Sequence, residues 1–179
     1  MDRSILQQVV RRVRRLAPLG AASAMLLFVS PRGPSNFAGR VLSTPEEIIA
    51  FVEQHPDEPT PIDWQILAGL DYKTGKLSEA LQKLNGKPVK VPGFMVPLED
   101  FATNVTEFLL VPWFGACVHT PPPPPNQTVY VKMDGGKEVK VGWWDPVWIE
   151  GVLKIEKVES VYGVAGFQLV GMKITSYEM

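Results

Sequence analysis

Two side chains in the most unusual stretch of this chain can do chemistry. They are Cys117 and His119, in the run Val111-Pro112-Trp113-Phe114-Gly115-Ala116-Cys117-Val118-His119-Thr120. One residue separates them, so in an extended backbone both project from the same side. A thiolate and an imidazole placed together can form half of a zinc or copper site. They can equally form a thiolate–imidazolium pair, in which His119 lowers the thiol pKa and makes Cys117 a redox or nucleophilic group. The third reading is that Cys117 is a small buried hydrophobe, as lone cysteines usually are. It is the only cysteine, so no disulfide can form within the chain. Further ligands are scarce. The other histidine, His55, lies far upstream, and Glu99, Asp100 or Glu107 can complete a site only if the fold brings them near. No CxxC, HExxH or GxSxG motif and no Gly-rich phosphate loop is present.

The run continues into Pro121, Pro122, Pro123, Pro124 and Pro125, followed by Asn126. Consecutive prolines cannot donate to a β-ladder and hold a stiff, extended polyproline conformation. The segment therefore reads as a rigid strut between strands, with docking to an aromatic groove on a partner as its alternative. Trp113, the five prolines and Asn126 make up the candidate binding surface. Trp113, Trp143, Trp144 and Trp148 read mainly as core or rim aromatics, with an aromatic-lined binding surface as the alternative.

The elements that must position this stretch are legible in outline. Thr44-Pro45-Glu46-Glu47 reads as a helix start, with Thr44 as cap and Pro45 in the first turn, and the helix ends near His55-Pro56. Trp64, Ile66, Leu67 and Leu70 suggest a short helix or anchoring turn. Ser78 caps a second short helix that stops at Asn85-Gly86. From residue 88 the pattern becomes strands, at 88–97, 107–111, 127–133, 147–158 and 167–177. Gly93, Gly151 and Gly171 interrupt them as bends of the kind small barrels need. The expected fold is mainly β with short N-terminal helices: a five-stranded, OB-like antiparallel barrel. Residues 1–38 form a leader, 39–87 a helical and loop part, and 88–179 the barrel, the last two making one domain.

Composition supports that assignment. With 179 residues, 45% hydrophobic and 21% charged, the chain is globular rather than disordered or polytopic. Its net charge of -1 conceals a division. Six of the seven arginines precede Ala38, against one acid, Asp2. The remainder then holds 18 − 6 = 12 basic and 19 − 1 = 18 acidic residues, a net of -6. An acidic barrel disfavours nucleic acid as partner, because phosphate binding needs a basic face. The Arg-rich start is followed by uncharged, apolar residues 16–29 and then by Pro31, Gly33 and Pro34, the order of a secretory signal. Fourteen apolar residues are short for a membrane span. Export to the periplasm is expected, by a cleaved signal or an uncleaved N-terminal anchor. The bland alternative is an amphipathic helix on a cytosolic protein.

Several segments together resemble one bacterial family. They are Leu84-Asn85-Gly86-Lys87-Pro88-Val89, Gly93-Phe94-Met95-Val96-Pro97-Leu98-Glu99, the run from Glu107 through His119, Pro121 through Gln127, and Pro146-Val147-Trp148-Ile149-Glu150-Gly151. This is similar to the domain of unknown function 3299 family of exported Gram-negative proteins, over about residues 60–179. The resemblance brings no established enzymatic activity with it. It implies an envelope role near transporters of the ABC type and zinc-responsive genes. The expected function is a periplasmic binding or accessory protein, narrowed to zinc or copper handling through Cys117 and His119. The rivals are an interaction module docking on an envelope transporter without metal, and a thiol-dependent enzyme.

Overall fold

The computed structural model describes residues 41–116, 122–142 and 144–177. Helix α1 (Pro45–Gln54) begins as its sequence predicts. The Thr44 hydroxyl accepts from the Glu47 N–H at 3.3 Å, and Pro45 occupies the first turn, where a missing N–H costs nothing. Ile48, Phe51 and Val52 form its buried side. After β1 (Thr60–Pro61), Asp63 caps the short helix α2 (Trp64–Leu67) by accepting from the N–H groups of Gln65 and Ile66. Ser78 caps α3 (Glu79–Leu84). That helix ends at Asn85-Gly86, where Gly86 takes a φ of 76° that only glycine adopts without strain. The Gly86 N–H donates to the Leu153 carbonyl, and the Lys87 carbonyl accepts from the Leu153 N–H. The helix end is thereby tied to the barrel.

The barrel strands are β2 (Pro88–Pro97), β4 (Glu107–Val111), β5 (Val129–Met133), β7 (Val147–Lys154) and β10 (Phe167–Ser176). They pair in the order β2-β4-β5-β10-β7, and β7 returns to β2 to close the ring. Numbered within the barrel this order is 1-2-3-5-4-1, an OB-like topology. Two-residue β3 (Asn104–Val105) and β6 (Val139–Lys140) form a side ribbon, and β8 (Val158–Ser160) and β9 (Gly163–Ala165) a hairpin.

The barrel is mixed, not antiparallel as the sequence suggested. β10 runs parallel to β5, from Phe167 opposite Val129 to Gly171 opposite Met133. The reason is parity: a closed ring with an odd number of strands cannot reverse direction at every step. Outside the ring, β1 also pairs parallel with β2. Two expected strands are shorter. The third begins at Val129, because Pro125–Gln127 form a tight helical turn. The fourth ends at Lys154, where the Ile155 N–H turns to the Asn85 side-chain oxygen instead of a strand partner.

The interrupting glycines mark close approaches between strands. Gly151 and Gly171 face each other across β7 and β10. A Cβ on Gly151 would stand 2.3 Å from the Val170 carbonyl oxygen, and one on Gly93 2.7 Å from that of Val111. The register then shifts between Gly171 and Lys173, a bulge that bends β10. Inside the ring, Val89, Val91, Met95, Phe108, Leu110, Val131, Ile149 and Leu169 share one core with Ile48, Phe51, Leu81 and Leu84 of the helices. Helices and barrel thus have a common hydrophobic core, so the described residues before β2, 41–87, do not stand apart from it. Among the described residues, no helix is long and apolar enough to cross a membrane.

Candidate functional site

β4 is apolar on both faces. Phe108 and Leu110 point into the main core, while Leu109 and Val111 join Val96 and Ala116 in a second buried cluster outside the barrel. Phe94, Leu98, Tyr130 and Tyr162 pack against that cluster. The connection from β4 to β5, which carries all the residues singled out by sequence, starts from this outer face.

Its proline end is fastened by hydrogen bonds. Prolines offer carbonyl acceptors but no donors, so neighbouring groups must supply the donors. The Thr128 hydroxyl lies 3.4 Å from the Pro123 carbonyl and 3.3 Å from that of Pro124. The Gly166 N–H donates to the Pro125 carbonyl at 2.7 Å, and the Gln127 N–H to that of Pro124 at 2.8 Å. Asn126 Nδ2 donates to the Leu70 carbonyl at 3.0 Å, and Gln127 Nε2 to the Trp64 carbonyl at 3.1 Å. Residues 122–127 therefore brace the barrel against α2 and the loop after it. Asn126 acts as an anchor, although its Oδ1 is buried without a hydrogen-bond partner.

The brace also walls a cavity of about 320 Å³. Pro122, Pro123, Pro124 and Pro125 form one side, and Tyr72, Leu109, Tyr162 and Val164 others. Such a volume, mostly apolar with a few polar groups, is at the lower end for a ligand or side-chain pocket. Ala116 packs with Leu109 and Tyr162, and Pro122 lines the cavity with the same two residues. In sequence, Cys117 and His119 lie between these two points.

Further along the same outer face lies a polar cluster. Glu107 and Lys132 are directly opposite on β4 and β5, and Lys132 Nζ lies 2.7 Å from Glu107 Oε1. The Tyr130 hydroxyl donates to Glu107 Oε2. Hydrogen bonding from Lys132, then from Tyr130, holds the Glu107 carboxyl below its ordinary pKa. Burial, and then its bond to Glu107, pushes the Tyr130 phenol up to about 12. Tyr130 is thus a neutral donor at any physiological pH. A cleft of about 300 Å³ beside it is lined by Leu98, Glu99, Thr106, Glu107 and Glu138.

At a third place, the sequence's aromatics are displayed rather than buried. Phe94 meets Phe114 edge-on at 6.1 Å, and Phe114 stacks on Trp144 at 4.9 Å. Trp148 is buried, with Lys90 over its ring and Tyr177 beside it.

Cys117, Val118, His119, Thr120, Pro121 and Trp143 lie outside the described residues, so the candidate metal ligands are not placed. Of the other candidate ligands, Glu107 is engaged by Lys132 and Tyr130, and His55 stacks on Phe51 with its Nδ1 3.6 Å from Glu58. Among the described residues no group of three His, Cys, Asp or Glu side chains is arranged to hold a metal. Sequence reasoning did not single out Tyr72, Tyr162 or Val164, nor the link from Tyr130 to Glu107. The opposite charges of Glu107 and Lys132 were a usable signal, but only once the register of β4 on β5 is known.

A closed, mixed five-strand barrel of OB-like topology, with helices in its core and a proline brace outside, defines the class of protein. Within that class the chain belongs to the DUF3299 family, described as a protein of unknown function, whose profile matches residues 70–176. A solved DUF3299 family protein from Pseudomonas aeruginosa PAO1 is 37% identical, with a TM-score of 0.50 over 75% of this chain and 81% of that one. Among curated proteins none matches the chain.

Proposed function

We propose that this protein is an exported, periplasmic accessory module that docks on an envelope partner, a membrane transporter being the kind the family resemblance suggests. The observation that carries the reading is the braced cavity. Its proline wall is stiff, and the carbonyls of Pro123, Pro124 and Pro125 accept hydrogen bonds from within the molecule. A partner side chain entering it therefore meets a preformed apolar surface and little ordering cost. The charge division supports export, since a basic, then apolar leader precedes an acidic domain. The experiment places a photo-crosslinking residue at Val164, on the cavity, or at exposed Met172 as control, in the full chain in living cells. A discrete adduct with an integral membrane protein from position 164 alone is expected. Equal yields at the two positions, or a chain that stays in the cytosol, would overturn the reading.

A narrower reading gives the module a transition metal as cargo or ligand, zinc or copper, held by Cys117 and His119. It is favoured by the chemistry of the pair, a thiol and an imidazole one residue apart in sequence. Calorimetry on the reduced full chain should then show saturable 1:1 binding that Cys117→Ser removes. Heats no larger than dilution would exclude it.

A further inference from the structure

Large aromatic side chains left in water need a reason. Trp144 is 75% exposed, Phe114 50% and the adjacent Trp113 47%. Phe114 and Trp144 form one stacked surface, backed by Phe94. Trp64 donates its indole N–H to the Pro92 carbonyl at 2.7 Å, but neither Trp113 nor Trp144 has a hydrogen-bond acceptor among the described residues. An exposed indole with a free N–H and an apolar body is the side chain that favours the boundary between lipid headgroups and acyl chains.

The chain outside the described residues points the same way. Residues 16–29 are uncharged and apolar, and they follow Arg11, Arg12, Arg14 and Arg15. The charge of the domain selects the lipid: a net of -6 after residue 38 gives an anionic bilayer nothing to attract.

We propose that Trp113, Phe114 and Trp144 form an interfacial contact with which the domain rests against zwitterionic lipid. This rests on the envelope reading above, and adds the bilayer itself as a second surface for the module.

The leader contains no tryptophan; all five lie at residue 64 or beyond. Insertion of the leader alone therefore leaves tryptophan emission unchanged. The full chain is mixed with phosphatidylcholine vesicles whose acyl chains are brominated or plain. Brominated lipid is expected to quench the emission, and plain lipid to shift it to the blue. Phe114→Ser, which keeps every tryptophan, should reduce the quenching. Phe114→Ser/Trp144→Ser should weaken vesicle affinity by about tenfold or more, the scale for losing one buried ring. Vesicle binding without quenching would mean that only the leader touches lipid, and would overturn the proposal. So would quenching equal in wild type and Phe114→Ser. An exported chain that lipid does not quench removes this proposal and leaves the accessory reading. A quenched chain that stays in the cytosol does the reverse.

Discussion

The two faces of β4 are made of similar residues and do different work. Phe108 and Leu110 face inward and belong to the main core, built from the barrel strands and the helices. Leu109 and Val111 face outward and are just as buried, but under the chain's own β4–β5 connection and Tyr162. Two residues further along that outer face, apolar packing gives way to Glu107, Tyr130 and Lys132. The inner face closes the barrel. The outer face holds down a connection and grades from oily to charged, which is what a binding surface needs. Burial alone therefore does not separate core from site. What lies on top does.

That contrast can be broken by substitution. The largest effect is expected from Phe108→Ala, about 3–5 kcal/mol in urea unfolding, because the cavity opens in the main core where nothing can collapse into it. Leu109→Ala should cost less, about 2 kcal/mol, because Leu109 already borders the cavity beside Pro122–Pro125 and has fewer packing partners to lose. Equal losses at the two positions would show that the outer cluster is as rigid as the inner one. Tyr130→Phe should cost about 1 kcal/mol, the usual value of one hydrogen bond. It also sharpens the picture at high pH. The wild-type phenol is raised from 10.0 to about 12, so its contribution is complete below pH 10 and lost as pH climbs from 10 to 12. In Tyr130→Phe that alkaline loss should shrink.

The smallest effect is expected from Glu107→Gln, about 0.5 kcal/mol at pH 7, since the Lys132 pair is partly open to solvent. Its signature is on the acid side. A carboxyl held below its ordinary 4.5 adds stability above that value, and the gain disappears as pH falls through the lower folded value. The difference between urea midpoints at pH 7 and pH 3 should therefore narrow in the variant. An unchanged difference would mean that Glu107 is not paired in solution.

Much of the frame was legible in the chain. The caps at Thr44 and Ser78, the stop at Asn85-Gly86 and the five strands follow from residues within a few positions of one another. The site was legible only in location. The sequence pointed to the stretch after Val111, yet the cavity is completed by Tyr72, Tyr162 and Val164, about 40 or more residues from the prolines on either side. Asn126, read from sequence as a binding residue, also fastens the fold, because its amide reaches the Leu70 carbonyl 56 positions back.

By itself the sequence determined the local elements, the division between a basic first 38 residues and an acidic remainder, and the stiffness of the proline run. Each of these depends on propensity, capping or charge count, which act over a turn or less or simply add. Tertiary structure decided the parallel closure of β5 on β10, the burial of both faces of β4 and the exposure of Phe114 and Trp144. Those depend on which distant strands become neighbours. An odd ring must contain a parallel pair, and an apolar side chain is core or surface according to what the rest of the chain lays over it.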